Sequence, residues 1–376
     1  MRYSIVFLFL FFSVTAVAQN YYMLVGTYTG TGSKGIYVYN FNAETGRAKW
    51  VSNTDSVITN PSYLTASANG KFVYAVNETN GSNPGKVSAF SFDNNKGTLK
   101  LLNTQLSGGD DPCYVATSGN GKWIAVANYT GGSVSVFPIN KNGSLQQYSQ
   151  LMQDSGNSIN KERQEKAHVH ESVFSPDNKF LFTPDLGLDK IMIYKFNPGS
   201  KKPLSPANFP FVKSSAGNGP RHITFHPNGK FAYLISELSG TVTAYNYNNG
   251  KLVEIQQVAT HTSGYKGIIG SAEVVVSADG KFLYASNRGD ENNIAIFSIN
   301  SLTGKLKTVG YQPIFGNAPR NFIIDPLGNF LMVANQNSDN IVVFKRNKQT
   351  GLLKATGHEI HIPKPVCLQL VKMHEN

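Results

Sequence analysis

GPRHITFHPNGKFAYLISELSGTVTAYNYNNGKL, from Gly219 to Leu252, and SAEVVVSADGKFLYASNRGDENNIAIFSINSLTGKL, from Ser271 to Leu306, are two copies of one unit. Both carry a polar turn that ends in Gly-Lys-Phe and runs into an apolar stretch. The Gly or Asn of that turn recurs at Gly70, Gly121, Asn178, Gly229, Gly280 and Gly328, in steps of 51, 57, 51, 51 and 48 residues. A period near fifty residues marks stacked supersecondary units.

Within a unit, apolar runs of five to seven residues alternate with Gly, Asn and Asp turns, which is strand patterning without a competing helical period. The copy at Gly219 reads as strand A over Ile223–Phe225, strand B over Phe231–Ile235, strand C over Val242–Tyr247 and strand D over Leu252–Val258. Four antiparallel strands per repeat make a propeller blade, so the fold class is all-β. Six blades are visible. Tyr22–Gly26, Gly35–Phe41 and Lys49–Asn53 supply strands B, C and D of a seventh, whose strand A is expected at Val366–Val371. Pairing the two termini in one blade closes the ring and removes exposed edges. Strand aromatics that repeat once per blade, such as Phe90, Phe137, Tyr245 and Phe297, are expected in the core.

Residues 1–18 stand outside the repeat. Arg2, the apolar run Ile5–Phe12 and the triplet Ala16-Val17-Ala18 describe a secretory signal cleaved before Gln19, so export to the periplasm or medium is expected. The apolar run is too short for a membrane span. Residues 19–376 then form a single propeller domain, with about 51 residues for each of seven blades. Cys113 and Cys367 fall near the start of strand A in non-neighbouring blades and are expected to be free, buried thiols. The net charge of +11 comes with lysines spread round the ring in the A–B turns, Lys71, Lys122, Lys179, Lys230 and Lys281. Nucleic-acid binding calls for a clustered basic and aromatic face instead. A closed ring has no edge that demands a partner, so a monomer is the default.

In an up-and-down blade, the D–A and B–C loops share one face, and the A–B and C–D turns share the other. The turn face carries ordinary turn residues, and His226 reads as a surface residue there. The loop face collects two sets. At the end of strand B stand Asn77-Glu78, Asn128-Tyr129, Asp185-Leu186, Ser236-Glu237, Asn287-Arg288 and Asn335-Gln336. At the start of strand A stand Cys113-Tyr114, His170-Glu171, Arg221-His222, Ala272-Glu273 and Arg320-Asn321. The four B-end residues Asn77, Asn128, Asn287 and Asn335 suit loop capping as well as ligand binding. His168, His170, Arg221, His222, Glu237, Glu273 and Arg288 are expected from four successive blades, with Arg320 and Gln336 from the next. Ionisable groups gathered at a channel mouth must pair or bind something. The segment Asp154–Lys166, leading into His168, reads as a mobile loop that can act as a lid.

At these residues the chain resembles the seven-bladed propeller lactonases, which include the propeller-type 6-phosphogluconolactonases and the carboxy-muconate lactonising enzymes. The matching segments are HVHESVFSPDNKFLFTPDLGLDKI, GPRHITFHPNGKFAYLISE, SAEVVVSADGKFLYASNRG, APRNFIIDPLGNFLMVANQ and, near the N-terminus, VGTYTGTGSKGIYVY. The resemblance implies an active site without metal or cofactor, in which His170, Arg221, Glu237 and Arg288 are catalytic. The substrate expected is a small sugar or anionic lactone, held with the help of His168, His222, Glu273, Arg320 and Gln336.

The residues themselves suit that chemistry. Opening a lactone needs an activated water, a positive environment for the oxyanion and a proton for the leaving alkoxide. His170 or Glu237 can serve as the base. Arg221 and Arg288 can hold an oxyanion, a carboxylate or a phosphate bidentately, with His168 and Glu273 orienting the catalytic groups. No G-x-S-x-G elbow supports acyl-enzyme chemistry. His-x-His with Glu273 or Asp185 offers nitrogen and oxygen ligands, but the nearby arginines disfavour a divalent ion. Muconate-type cyclisation and a non-catalytic exported propeller that binds a glycan or protein stand as alternatives.

Overall fold

The computed structural model describes residues 19–374 except 31 and 56, so the leader expected over residues 1–18 lies outside the described residues. Its 28 strands form seven four-stranded antiparallel sheets, and the described residues contain no helix. Blade one takes Pro365–Lys372 as its innermost strand beside Asn20–Thr27, then Tyr37–Asn42 and Ala48–Asn53. This is the closure by both termini that the sequence implies. Blades two to seven follow in chain order, each running A-B-C-D outward from the axis.

Seven apolar clusters hold the ring, one between each pair of neighbouring blades. Phe90, Phe137, Tyr245 and Phe297 are fully buried in them, as their once-per-blade spacing suggests. The C–D turns set the spacing between blades. Gly250 has φ +82°, and a Cβ there would lie 2.4 Å from Phe180 of the preceding blade. Glycine is therefore required both for the backbone conformation and for the close approach. Gly304 against Phe231 and Gly351 against Phe282 repeat the arrangement.

Blade five shows how the sheet aims its polar residues. Its strand A begins at Pro220, three residues before the expected start, and pairs with Phe231–Ser236. The register slips between Pro220 and His222, which leaves Arg221 without a cross-strand partner. Similar slips occur at Pro112/Tyr114, Ser271/Val274 and Pro319/Asn321. A bulge breaks the two-residue alternation and re-aims side chains. Adjacent residues such as Arg221 and His222, or Arg320 and Asn321, consequently face the same axial space.

Two local expectations need comment. His226 is buried at 6% exposure, not a surface residue, because its turn tucks beneath that of blade six. Its Nε2 lies 2.9 Å from the Gly280 carbonyl, and its Nδ1 accepts the Asn228 N–H at 3.1 Å. Cys113 and Cys367 are free and buried as expected, on the inner strands of blades three and one.

Candidate active site

The loop face narrows to a funnel to which all seven blades contribute. The middle-blade residues His168 to Arg288 come from three successive blades, four, five and six, rather than four. Arg320 and Gln336 come from blade seven, as expected.

Glu237, at the end of strand B in blade five, organises the centre of the funnel. Its Oε2 accepts from Arg221 Nε and Arg288 Nη2, both at 3.0 Å, and its Oε1 accepts from Arg163 Nη2 at 2.8 Å. Burial pushes this carboxyl up, but Arg288, Arg221 and Arg163 outweigh it and hold the group well below the usual carboxylate range. Arg221 is 1% exposed and also donates from Nη1 to the Ala272 carbonyl at 2.7 Å, so its guanidinium is fixed from two sides.

Behind Arg221 lies an inner chamber lined by Tyr63, Cys113, His170, His222, Glu273 and Arg320. It leaves about 10 Å³ to the centre of a water-sized body, the room of one water molecule. His222 Nδ1 pairs with Glu273 Oε1 at 3.0 Å, and Asn321 Nδ2 donates to Glu273 Oε2 at 2.6 Å. Glu273 thus orients His222, whose imidazole is pushed down to about 4 by burial and Arg221 despite the carboxylate. His170 is different. Its ring packs edge-on to His222 at 5.1 Å and Tyr129 at 5.4 Å between centroids, and its nearest polar neighbour is Cys113 Sγ, 3.9 Å from Nδ1. Burial, then Arg221, His222 and Arg320, hold its pKa well below the ordinary imidazole value. His170 is therefore neutral near pH 7, and its one side-chain hydrogen-bond neighbour among the described residues is the Cys113 thiol.

Arg320 lies 5.7 Å over the Tyr28 ring and 4.0 Å from Glu78, which accepts from Tyr28 and Ser62 hydroxyls. Outside Arg221 and Glu237 opens a mouth of about 370 Å³, lined by Arg163, Glu237, Ile268, Ile269, Arg288, Asn317, Gln336 and Asn337. His170, Arg221, His222, Glu273 and Arg320 thus gather at the inner chamber, and Glu237, Arg288 and Gln336 at the mouth.

His168 lines neither chamber. Its ring stacks on Tyr129 at 4.5 Å, and its Nε2 meets Glu165 at 3.0 Å. It holds Glu165 of the 154–166 loop and the Tyr129 ring, and bonds none of His170, Arg221, Glu237 and Arg288. Three of the B-end asparagines are engaged in bonds within the ring. Asn287 Oδ1 accepts from Thr260 and Ser271 hydroxyls at 2.7 Å, and Asn128 and Asn77 bond neighbouring serines. Asn335 is fully buried and lines neither chamber.

Sequence reading missed Arg163, Tyr63 and Tyr129 as site residues. Arg163 lies in the 154–166 segment read above as a lid, where the blade repeat is interrupted and its step lengthens to 57 residues. That loop starts at buried Asp154, whose carboxyl is electrostatically coupled to that of buried Asp185. Asp185 Oδ1 also accepts the His168 and Leu188 N–H groups. Burial raises Asp185 to about 8 and Asp154 to about 6, so the pair retains a proton near neutrality.

The profile of the family described as "Lactonase, 7-bladed beta-propeller" matches residues 22–370. A protein of Formosa agariphila named 6-phosphogluconolactonase is 43% identical over 324 residues, 85% of this chain and 90% of its own length. One of that name from Bacillus subtilis is 36% identical, covering 92% and 97%. The solved structure of a periplasmic gluconolactonase from Pseudomonas aeruginosa superposes with a TM-score of 0.89 at 36% identity, covering 94% of this chain and all of that one. With its seven blades and its funnel of histidines, arginines and glutamates, the chain belongs to the lactonase family of seven-bladed β-propellers.

Proposed function

We propose that the protein hydrolyses a sugar δ-lactone to its aldonic acid by general-base attack of water, with 6-phosphogluconolactone or the unphosphorylated lactone as substrate. The observation that carries this reading is His170, a buried, neutral imidazole facing a one-water chamber beside two arginines. A ring nitrogen of His170 takes the proton of that water as its oxygen attacks the lactone carbonyl. Arg221 and Arg320, lining the same chamber, stabilise the oxyanion. As the ring C–O bond breaks, the imidazolium returns the proton to the leaving alkoxide, and His170 ends neutral.

Glu237 is a poor base, because three guanidinium groups stabilise its anion. It serves to position Arg221 and Arg288. Export is part of the proposal: the leader-like residues 1–18 support it, and one relative in the family is described as periplasmic.

The test is pH-stat hydrolysis of freshly prepared glucono-δ-lactone and its 6-phosphate by the mature chain, with spontaneous opening subtracted. Catalysis on at least one is expected. Rates equal to buffer on both would remove the reading.

A further inference from the structure

Arg163 is the one cation at Glu237 that no blade carries. It stands on the loop between blades three and four, and that loop is built rather than slack. Gln164 is fully buried, donates from Nε2 to the Leu186 carbonyl at 2.8 Å and accepts the Asn160 N–H at 3.1 Å. Asn160 Oδ1 in turn accepts the N–H groups of Glu162 and Arg163, both at 3.1 Å. From this base the Arg163 side chain, 44% exposed, reaches over the mouth. Its Nη2 is shared between Glu237 at 2.8 Å and the Tyr129 hydroxyl at 3.2 Å. Its Nε and Nη1 have no hydrogen-bond partner among the described residues, and neither does Nη1 of Arg288, whose Nε bonds the Gly270 carbonyl.

The charges at this mouth do not balance. Arg163, Arg221 and Arg288 converge on the single carboxylate of Glu237, and among the described residues no other acidic side chain lines the cavity. Arg163 and Arg288 line a space of about 370 Å³ that Asn317, Gln336 and Asn337 furnish with neutral amides. A surplus of fixed forked donors beside one anion is a site for a second, doubly charged anion. It is displaced from the inner chamber, where His170 stands.

We propose that Arg163, together with Arg288, forms a phosphate-monoester site at the funnel mouth, which selects lactones carrying a phosphate remote from the ring carbonyl. The selectivity rests on the lactone-hydrolase reading, whereas the anion site itself does not. Arg163 acts in binding, on the part of the substrate that does not react.

The test compares wild type with Arg163→Gln, Arg163→Lys and, as a control on the opposite face, Lys251→Gln. KM and kcat are measured for glucono-δ-lactone and its 6-phosphate, and inorganic phosphate binding by titration calorimetry. Loss of a charge-assisted contact is expected to raise KM for the phosphorylated lactone about 10- to 100-fold. The rise is at least tenfold greater than for the plain lactone, with kcat on the phosphorylated lactone moving far less than KM. Arg163→Lys falls between, and Lys251→Gln matches wild type. Weaker phosphate binding in Arg163→Gln alone supports the site. Equal losses on both lactones, or phosphate binding lost equally in Lys251→Gln, would overturn it. If wild type hydrolyses neither lactone, the functional reading fails by itself, and the titration still decides the anion site. A melting curve for each variant checks folding, which the exposed position of Arg163 should spare.

Discussion

His226 and His170 are both buried histidines near strand A, in adjacent blades but on opposite faces, and their surroundings differ in kind. Both nitrogens of His226 have backbone partners, so its bonding capacity is consumed in joining blade five to blade six. The ring of His170 has a thiol sulfur as its one side-chain hydrogen-bond neighbour among the described residues, and it lines a chamber shared with two arginines. The turn face uses its polar groups to build the ring. The loop face leaves some unspent, and unspent capacity in a buried place is where a ligand or a reaction can enter.

Exchanging the two histidines for alanine breaks the comparison most directly. His170→Ala is expected to lower kcat/KM about 10²- to 10⁴-fold, the usual contribution of a general base, with little change in melting temperature. His226→Ala should do the reverse, keeping activity within about twofold and losing about 1–3 kcal/mol of stability by leaving backbone groups unpaired. Lactone kinetics and denaturant melts on both variants decide it. Equal activity losses would erase the distinction between the faces.

The pH profile sharpens it. His170 must be unprotonated to act, and burial with Arg221, His222 and Arg320 lowers its pKa below the ordinary value near 6.5. Activity is therefore retained as pH falls through 6.5, and the acid limb of kcat/KM lies lower. Arg320→Gln, which removes one of the depressing charges, should move that limb upward. An acid limb at or above pH 6.5 in wild type would contradict the arrangement.

A smaller effect belongs to the Asp154–Asp185 pair beneath the Arg163 loop. Both carboxyls have folded pKa values raised above their unfolded ones, to about 6 and about 8. The unfolded chain releases these protons first, so the stability they provide is fully present below about pH 4. It declines as pH rises toward 8. Asp154→Asn removes the repulsion and should flatten that decline, raising the melting temperature at pH 8 by about 2–4 °C. Thermal melts from pH 5 to 8.5 read it, and an unchanged slope would show that the pair does not share a proton.

How far the sequence can be read depends on whether a feature repeats. Turn residues and strand aromatics recur from blade to blade, so blade count, strand order and closure by a strand at Val366–Val371 were legible, the strand itself running over Pro365–Lys372. The gathering of His170, Arg221 and Glu237 on the loop face was legible too, from their matched positions at the start of strand A and the end of strand B. The inward aim of both Arg221 and His222 was not, since it depends on a bulge that strand alternation hides. His226 was misjudged because a turn residue looks exposed until the neighbouring blade covers it.

Local patterning alone therefore determined the architecture: a fifty-residue period of alternating strands can bury its apolar faces only by stacking neighbours, and a ring leaves no edge. It also supplied the chemical inventory of the loop face. The tertiary structure decided how that inventory is divided. Arg163, 58 residues before Arg221, reaches the same carboxylate only because the interblade loop folds back across the funnel. Glu237 becomes an arginine clamp, and His170 a neutral imidazole, because charges distant in sequence are brought together out of water. There their energies depend on separation and burial, which residue identity does not encode.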